Sequence, residues 1–190
     1  PVLVTHPRLY DLRAPIMKLA AIRYGAAEGA RTDALIVWVA SHLKGEGLRV
    51  GGAVQHNEAD RDRRCGEMEL EDPATGERVL ICESMRATTS VCRVQEDALA
   101  KAVAWTRQFL NDGADILVIN KFGKREAQGR GFTPAIDLAI DLGVPVLAGV
   151  SERNFEAWQA LTRGQAYCLS ASRSDVLGWC NRTLVARQTT

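Results

Sequence analysis

The segment Ala114–Asn120 (ADILVIN) constrains the fold more than any other. Its unbroken aliphatic run from Ile116 to Ile119 leaves no polar face, so the strand it predicts is buried on both sides. A strand of that kind needs helices above and below it, the condition met in parallel α/β sheets. Leu19–Tyr24 and Val144–Val150 read the same way. Leu48–Gln55 adds a further strand, whose Gly51-Gly52 pair predicts close approach of another backbone.

Helical periodicity fills the intervals. Ala34–Leu43 is closed by the glycines of Lys44–Gly47, and Glu96–Leu110 by Asn111-Asp112-Gly113. Thr133–Leu142 has Thr133 as its expected N-cap and Pro134 at the first helical position. Asn154–Arg163 follows, then an edge strand over Ala166–Ser170 and a final helix over Ser174–Arg187, capped by Ser174 or Asp175. A different pattern interrupts this alternation. Glu67–Asp72 and Glu77–Glu83 flank the turn Pro73–Gly76, predicting an antiparallel hairpin with Met68 and Leu70 facing Val79 and Ile81. The expected fold class is therefore α/β: a mainly parallel sheet between two helical layers, with a hairpin inserted at about residues 66–84.

A chain of 190 residues suits one domain, placed at 19–190. Residues 1–18 contain three prolines and no sustained period, which predicts an extended N-terminal arm suited to a partner protein or a second copy of the chain. The net charge of +1 gives no global field for nucleic acid, and no apolar run is long enough for a membrane span. Five cysteines without a C-x-x-C pair exclude an all-disulfide framework and predict reduced thiols in a cytoplasm.

Function is concentrated in Leu19–Leu35 (LAAIRYGAAEGARTDAL). Against the phosphate-loop pattern G-x-x-x-x-G-K-[ST], the spacing is intact from Gly25 through Gly29 to Thr32, but Ala30 replaces the second glycine and Arg31 the lysine. Such loops work because successive N–H groups at a helix N-terminus cradle phosphate oxygens, a cation neutralises them, and the hydroxyl ligates Mg²⁺. The plain alternative is a strand-to-helix turn with Thr32 or Asp33 as N-cap. Ligands of parallel sheets sit at the carboxyl ends of strands. There the loops Gly25–Asp33, His56–Arg64 and Lys121–Gly131 are expected to converge.

Taken together, the loop GAAEGART, the strand LRVGGAVQ, the hairpin MELEDPATGERVLI, the segment DILVINKFGKREAQGRGF, and Gly143 followed by Pro145-Val146 resemble a known family. They look like the P-loop nucleoside triphosphatases of the small, cancer-related and thermophile type. The likeness is closer to a bacterial family of degenerate relatives, a domain of unknown function associated with molybdenum. The resemblance covers roughly residues 19–170 and implies a three-layer P-loop NTPase-like fold. Active members carry an acidic pair after the ILVI strand, one residue holding Mg²⁺ and the other activating water. Here those positions are Asn120 and Lys121, while Gly123 and Glu126 match the family's following I-G-x-x-E.

The resemblance thus implies a phosphate or oxyanion site built from Gly25, Gly29, Ala30, Arg31, Thr32, Asp33, Asn120, Lys121, Gly123 and Lys124. Thr32 would be a Mg²⁺ ligand and Glu126 the one candidate acid/base group. The ligand would be a nucleotide, with or without Mg²⁺, or the tetrahedral oxyanion molybdate or tungstate. With the acidic pair absent, binding is expected to survive better than hydrolysis. Other features carry less. Arg31 at a helix N-terminus opposes the helix dipole unless an anion is bound. Lys121, Lys124, Arg125 and Arg130 suit an anion pocket or a solvated loop equally, with Glu126 expected to pair with Lys121 or Arg31. Arg61, Arg63 and Arg64 beside Asp60 and Asp62 read first as solvated charge. Cys65 and Cys92 flank the hairpin as candidate soft metal ligands, with buried free thiols as the plain alternative; His56 stands at no recognised ligand spacing. The four tryptophans (Trp38, Trp105, Trp158 and Trp179) fall on helices and are read as packing residues.

Overall fold

The computed structural model describes residues 17–57, 68–82 and 95–188. Strand β1 (Leu19–Tyr24) leads through a short 3₁₀ turn into helix α1 (Gly29–Gly45). Strands β2 (Val50–Asn57), β3 (Met68–Glu71) and β4 (Arg78–Cys82) follow, then α2 (Glu96–Asn111) and β5 (Ile116–Phe122). The chain continues through α3 (Thr133–Asp141), β6 (Val146–Ser151), α4 (Phe155–Leu161), β7 (Ala166–Leu169) and α5 (Arg173–Gln188).

All seven strands form one sheet in the order β4-β3-β2-β5-β6-β1-β7. β2, β5, β6, β1 and β7 run parallel, and the hairpin β3–β4 extends the sheet antiparallel from β2. Leu70 pairs with Val79 across the hairpin, and its apolar face joins the core, as the alternation predicts. β7 lies at the far edge, also as predicted. The fold is thus the three-layer, P-loop NTPase-like α/β arrangement.

Two cores explain the layering. On one face, Leu99, Ala102 and Leu110 of α2, Ile136 of α3 and Trp158 of α4 pack on Leu117, Ile119, Ala148 and Val150. On the other, Ile36, Val39 and Leu43 of α1 and Trp179 of α5 pack on Ile22, Ile116, Val118 and Leu147. Trp158 and Trp179 are fully enclosed, whereas Trp38 and Trp105 are only half-buried against these cores.

The Gly51-Gly52 signal has a direct cause. A Cβ on Gly52 would stand 1.9 Å from the Val118 carbonyl oxygen, and its φ of +127° is one that L side chains rarely adopt. The Gly52 carbonyl in turn accepts a hydrogen bond from the Thr106 hydroxyl at 3.1 Å, which ties α2 to β2.

Three local expectations are corrected. α1 begins at Gly29 rather than Ala34, so Thr32 and Asp33 lie within the helix and neither is the N-cap. Phe132, not Thr133, occupies the N-cap of α3; the Thr133 hydroxyl instead donates to the Glu126 carbonyl at 3.1 Å. At α5 it is the Ser172 hydroxyl that accepts the Asp175 N–H, at 3.2 Å. Residues 1–16 of the expected arm, the charged run Asp60–Arg64, and Cys65 and Cys92 lie outside the described residues.

Candidate functional site

The sheet order places the candidate site. From β1 the chain runs through α1, on one face, to β2 on the far side of β5 and β6. From β6 it runs through α4, on the opposite face, to β7 on the other side of β1. Connections that leave adjacent strands in opposite directions open a crevice at their carboxyl ends. The crevice here lies beyond Tyr24 and Ser151, with the Gly25–Thr32 loop at its mouth.

That loop is tightly wound. Ala26–Glu28 forms a single 3₁₀ turn, the Glu28 N–H donates to the Gly25 carbonyl at 3.1 Å, and the Gly25 N–H donates to Glu28 Oε2 at 2.9 Å. A carboxylate of the loop's own therefore takes its first N–H, in the manner of a capping box. Ala30 and Arg31 are exposed on the first turn of α1, and Arg31 has no ion-pair partner among the described residues.

Beneath the loop the polar groups are sealed. Thr32 is fully buried and Asn120 is 1% exposed, and the Thr32 hydroxyl and both Asn120 amide atoms have no hydrogen-bond partner among the described residues. Gly149 of β6 brings them together. A Cβ placed on it would lie 3.4 Å from Asn120 Oδ1 and 3.6 Å from Thr32 Cγ2. Buried polar groups are ordinarily paired, so an unpaired cluster at a crevice calls for an explanation.

Lys121 completes the group through a bulge. Ile119 pairs with Ala148 and Phe122 with Val150, so β5 carries one residue more than β6 between these points. The extra residue returns Phe122 to the α2–α3 core and lets Asn120 and Lys121 both serve the α1 side. Lys121 Nζ lies 3.2 Å from each carboxylate oxygen of Asp33, which is itself 6% exposed, and 5.9 Å from the centre of the Tyr24 ring. Burial, and secondarily the Asp33 charge, push the Tyr24 phenol up to about 12.

Glu126 is accounted for differently from its expected pairing with Lys121 or Arg31. Its carboxylate accepts the Gly123 N–H at 2.9 Å and the Phe132 N–H at 3.1 Å, stapling the loop after β5. The remaining cations of that loop divide. Arg125 is held by Glu96 at 2.7 Å and Arg130 by Gln128, while Lys124 stays exposed without a partner among the described residues. His56 faces Glu71 at 2.9 Å. Among the described residues, no three His, Cys, Asp or Glu side chains stand close enough together to hold a metal ion.

The family model described as "Protein of unknown function (DUF2478)" matches residues 19–179. The chain belongs to that family. A curated relative, the Molybdenum import ATP-binding protein ModC 2 of Bradyrhizobium diazoefficiens, is 34% identical to this DUF2478 chain over 166 residues. The match takes in 87% of the chain but 18% of the relative's length. No solved structure matches the chain. The comparisons support a P-loop NTPase-like relationship for the DUF2478 chain.

Sequence reasoning missed two features of this DUF2478 site. Tyr24 and Gly149 carry no motif signal, and they enter only through strand pairing. A cavity of about 260 Å³ also opens beside the site, walled by Leu70, Ile81, Leu99 and Phe132 with Gln55 and Lys124. Its walls come from β2, the hairpin, α2, and Asn120 and Lys121 at the end of β5 with the loop that follows, segments that only the sheet order brings together.

Proposed function

We propose that the chain binds the phosphate groups of a nucleotide at the Gly25–Thr32 loop, with little or no hydrolysis, in an accessory or regulatory role. The observation that carries this reading is the sealed, unpartnered set of Thr32 and Asn120 at the crevice. Of these unpaired atoms under a helix N-terminus, the Thr32 hydroxyl and the Asn120 amide N–H are donors for a ligand's oxygens. Arg31, exposed above them and unpaired among the described residues, supplies charge at the loop mouth. The named ATP-binding activity of the curated relative is in keeping with the same reading.

Hydrolysis needs a group that orients or deprotonates water. The position that resemblance gives to that group is Lys121, already paired with Asp33, and the Glu126 carboxylate is committed to two backbone N–H groups. Calorimetric titration with ATP, GTP and their diphosphates in the presence of Mg²⁺ tests the reading. Saturable heat and a raised melting temperature are expected, with turnover at or near the background rate. Neither heat nor thermal shift with any of them would overturn it.

A second reading is favoured by the relative's name, which couples ATP binding to molybdenum import. Molybdate and tungstate share phosphate's tetrahedral shape and charge, so the same loop would hold them. Metal analysis of protein purified from molybdate-grown cells separates the two: stoichiometric molybdenum favours the oxyanion, and none favours the nucleotide.

A further inference from the structure

P-loop sites of the kind this chain resembles ordinarily hold Mg²⁺ between the loop hydroxyl, a carboxylate and the phosphate oxygens. Mg²⁺ asks for octahedral oxygen ligands at close range, usually including one or two carboxylates. The donors beneath this loop do not fit that demand. Thr32 offers one hydroxyl and Asn120 a neutral amide. Among the described residues three carboxylates stand near the loop, and each is engaged: Glu28 takes the Gly25 N–H, Glu152 pairs with Arg23 at 3.5 Å, and Asp33, beside Thr32 and Asn120, has an ammonium 3.2 Å from both of its oxygens. A dication would have to share that carboxylate with Lys121 at a distance where like charges repel.

The same geometry suggests what replaces the metal. The bulge in β5 turns Lys121 toward α1, Asp33 anchors its ammonium, and Tyr24 lies alongside. An ammonium has three donors, so one can remain on Asp33 Oδ2 while another reaches an oxyanion at the loop. This is the bridging role of a metal, taken by a fixed single charge of the chain itself. We propose that the site binds phosphate-type oxyanions without a divalent metal, Lys121 supplying the cation. The inference rests on the phosphate-loop reading above and adds a property that reading leaves open.

Two probes, ADP and pyrophosphate, are titrated into the chain by calorimetry, once in excess EDTA and once in Mg²⁺. Affinities agreeing to within about twofold are expected, and a tenfold or greater gain with Mg²⁺ would overturn the proposal. The double variant D33N/K121Q keeps the shape of the pair without charge and guards against misfolding. It should melt as the parent does and bind both probes at least about tenfold more weakly in EDTA. Unchanged affinity in that variant would remove Lys121 from the role. The single variant Lys121→Asp places a carboxylate beside Asp33, and its binding should become Mg²⁺-dependent, a reversal that a merely structural lysine would not produce. If neither probe binds the parent in either buffer, the phosphate-loop reading fails and this inference falls with it; Mg²⁺-dependent binding by the parent sinks the inference alone.

Discussion

Glu28 and Glu126 show how the same carboxylate chemistry serves two loops. Each sits three residues after a glycine whose N–H it accepts, Gly25 in one case and Gly123 in the other. They differ in exposure. Glu28 is open to solvent at the loop mouth, whereas Glu126 is 8% exposed and also holds the Phe132 N–H. Glu28 therefore competes with any anion for the first N–H of the loop. Glu28→Ala should cost about 1 kcal/mol of stability through the lost cap. It should also tighten anion binding roughly two- to fivefold, the worth of one solvent-exposed charge. Calorimetry with pyrophosphate on the two proteins checks this; weaker binding in the variant would contradict it. Glu126→Gln turns an acceptor oxygen into a donor facing a buried N–H. A loss of about 1–3 kcal/mol in urea unfolding is expected, with anion affinity nearly unchanged. A collapse of binding without loss of stability would instead give Glu126 a direct part in the site.

Among the elements, β2 and β5 are the most tightly interlocked. Gly52→Ala would drive a methyl into the Val118 carbonyl, backbone against backbone with nothing free to turn aside. The cost should reach at least about 3 kcal/mol, read as a large fall in the denaturant midpoint or as failure to accumulate folded protein. Gly51→Ala is crowded by the Phe109 ring, at 2.7 Å, which can pivot, and otherwise reaches ordinary contact with the Ala114 Cβ at 3.7 Å, so a loss nearer 1 kcal/mol is expected.

These elements were largely legible in the sequence. Unbroken aliphatic runs and glycine punctuation announced β1, β5, β6 and the inserted hairpin, because burial on both faces leaves so plain a mark. The start of α1 was not legible, since Gly29-Ala30 lacks the apolar period on which a helix is recognised, and Glu28 closes the loop by reaching backward. Nor was the direction of Lys121. Strand parity would send it to the α2 face; a single extra residue in β5 reverses that, and a bulge has no signature in ILVINKF.

For the molecule as a whole, alkaline pH should expose the Tyr24 environment. Its phenol ionises at about 12 in the fold against 10.0 in the unfolded chain. The unfolded state therefore loses its proton first, and stability must fall as pH rises across that window. The contribution is fully present below pH 10. Cys180, pushed by burial up to about 12, acts with the same sign. Urea midpoints measured from pH 8 to 11.5 should decline, and Tyr24→Phe should decline less steeply above pH 10. Parallel curves for the two proteins would show that the phenol is not confined as described.

The position of β1 has a consequence for how the molecule comes into being. Its two neighbours in the sheet are β6 and β7, Val146–Ser151 and Ala166–Leu169, which the ribosome makes long after Leu19–Tyr24 has emerged. Until they arrive, a strand whose residues Ala20 to Ile22 are wholly enclosed in the finished fold has nothing to lie against. Pairing across so much intervening chain is slow, and exposed apolar strands are prone to associate wrongly in the meantime. A nascent chain halted after β5 would hold the loop sequence, Thr32, Asn120 and Lys121, yet no crevice, for Gly149 would still be unmade. The Gly25–Thr32 loop is thus synthesised well before the strands that set it in place.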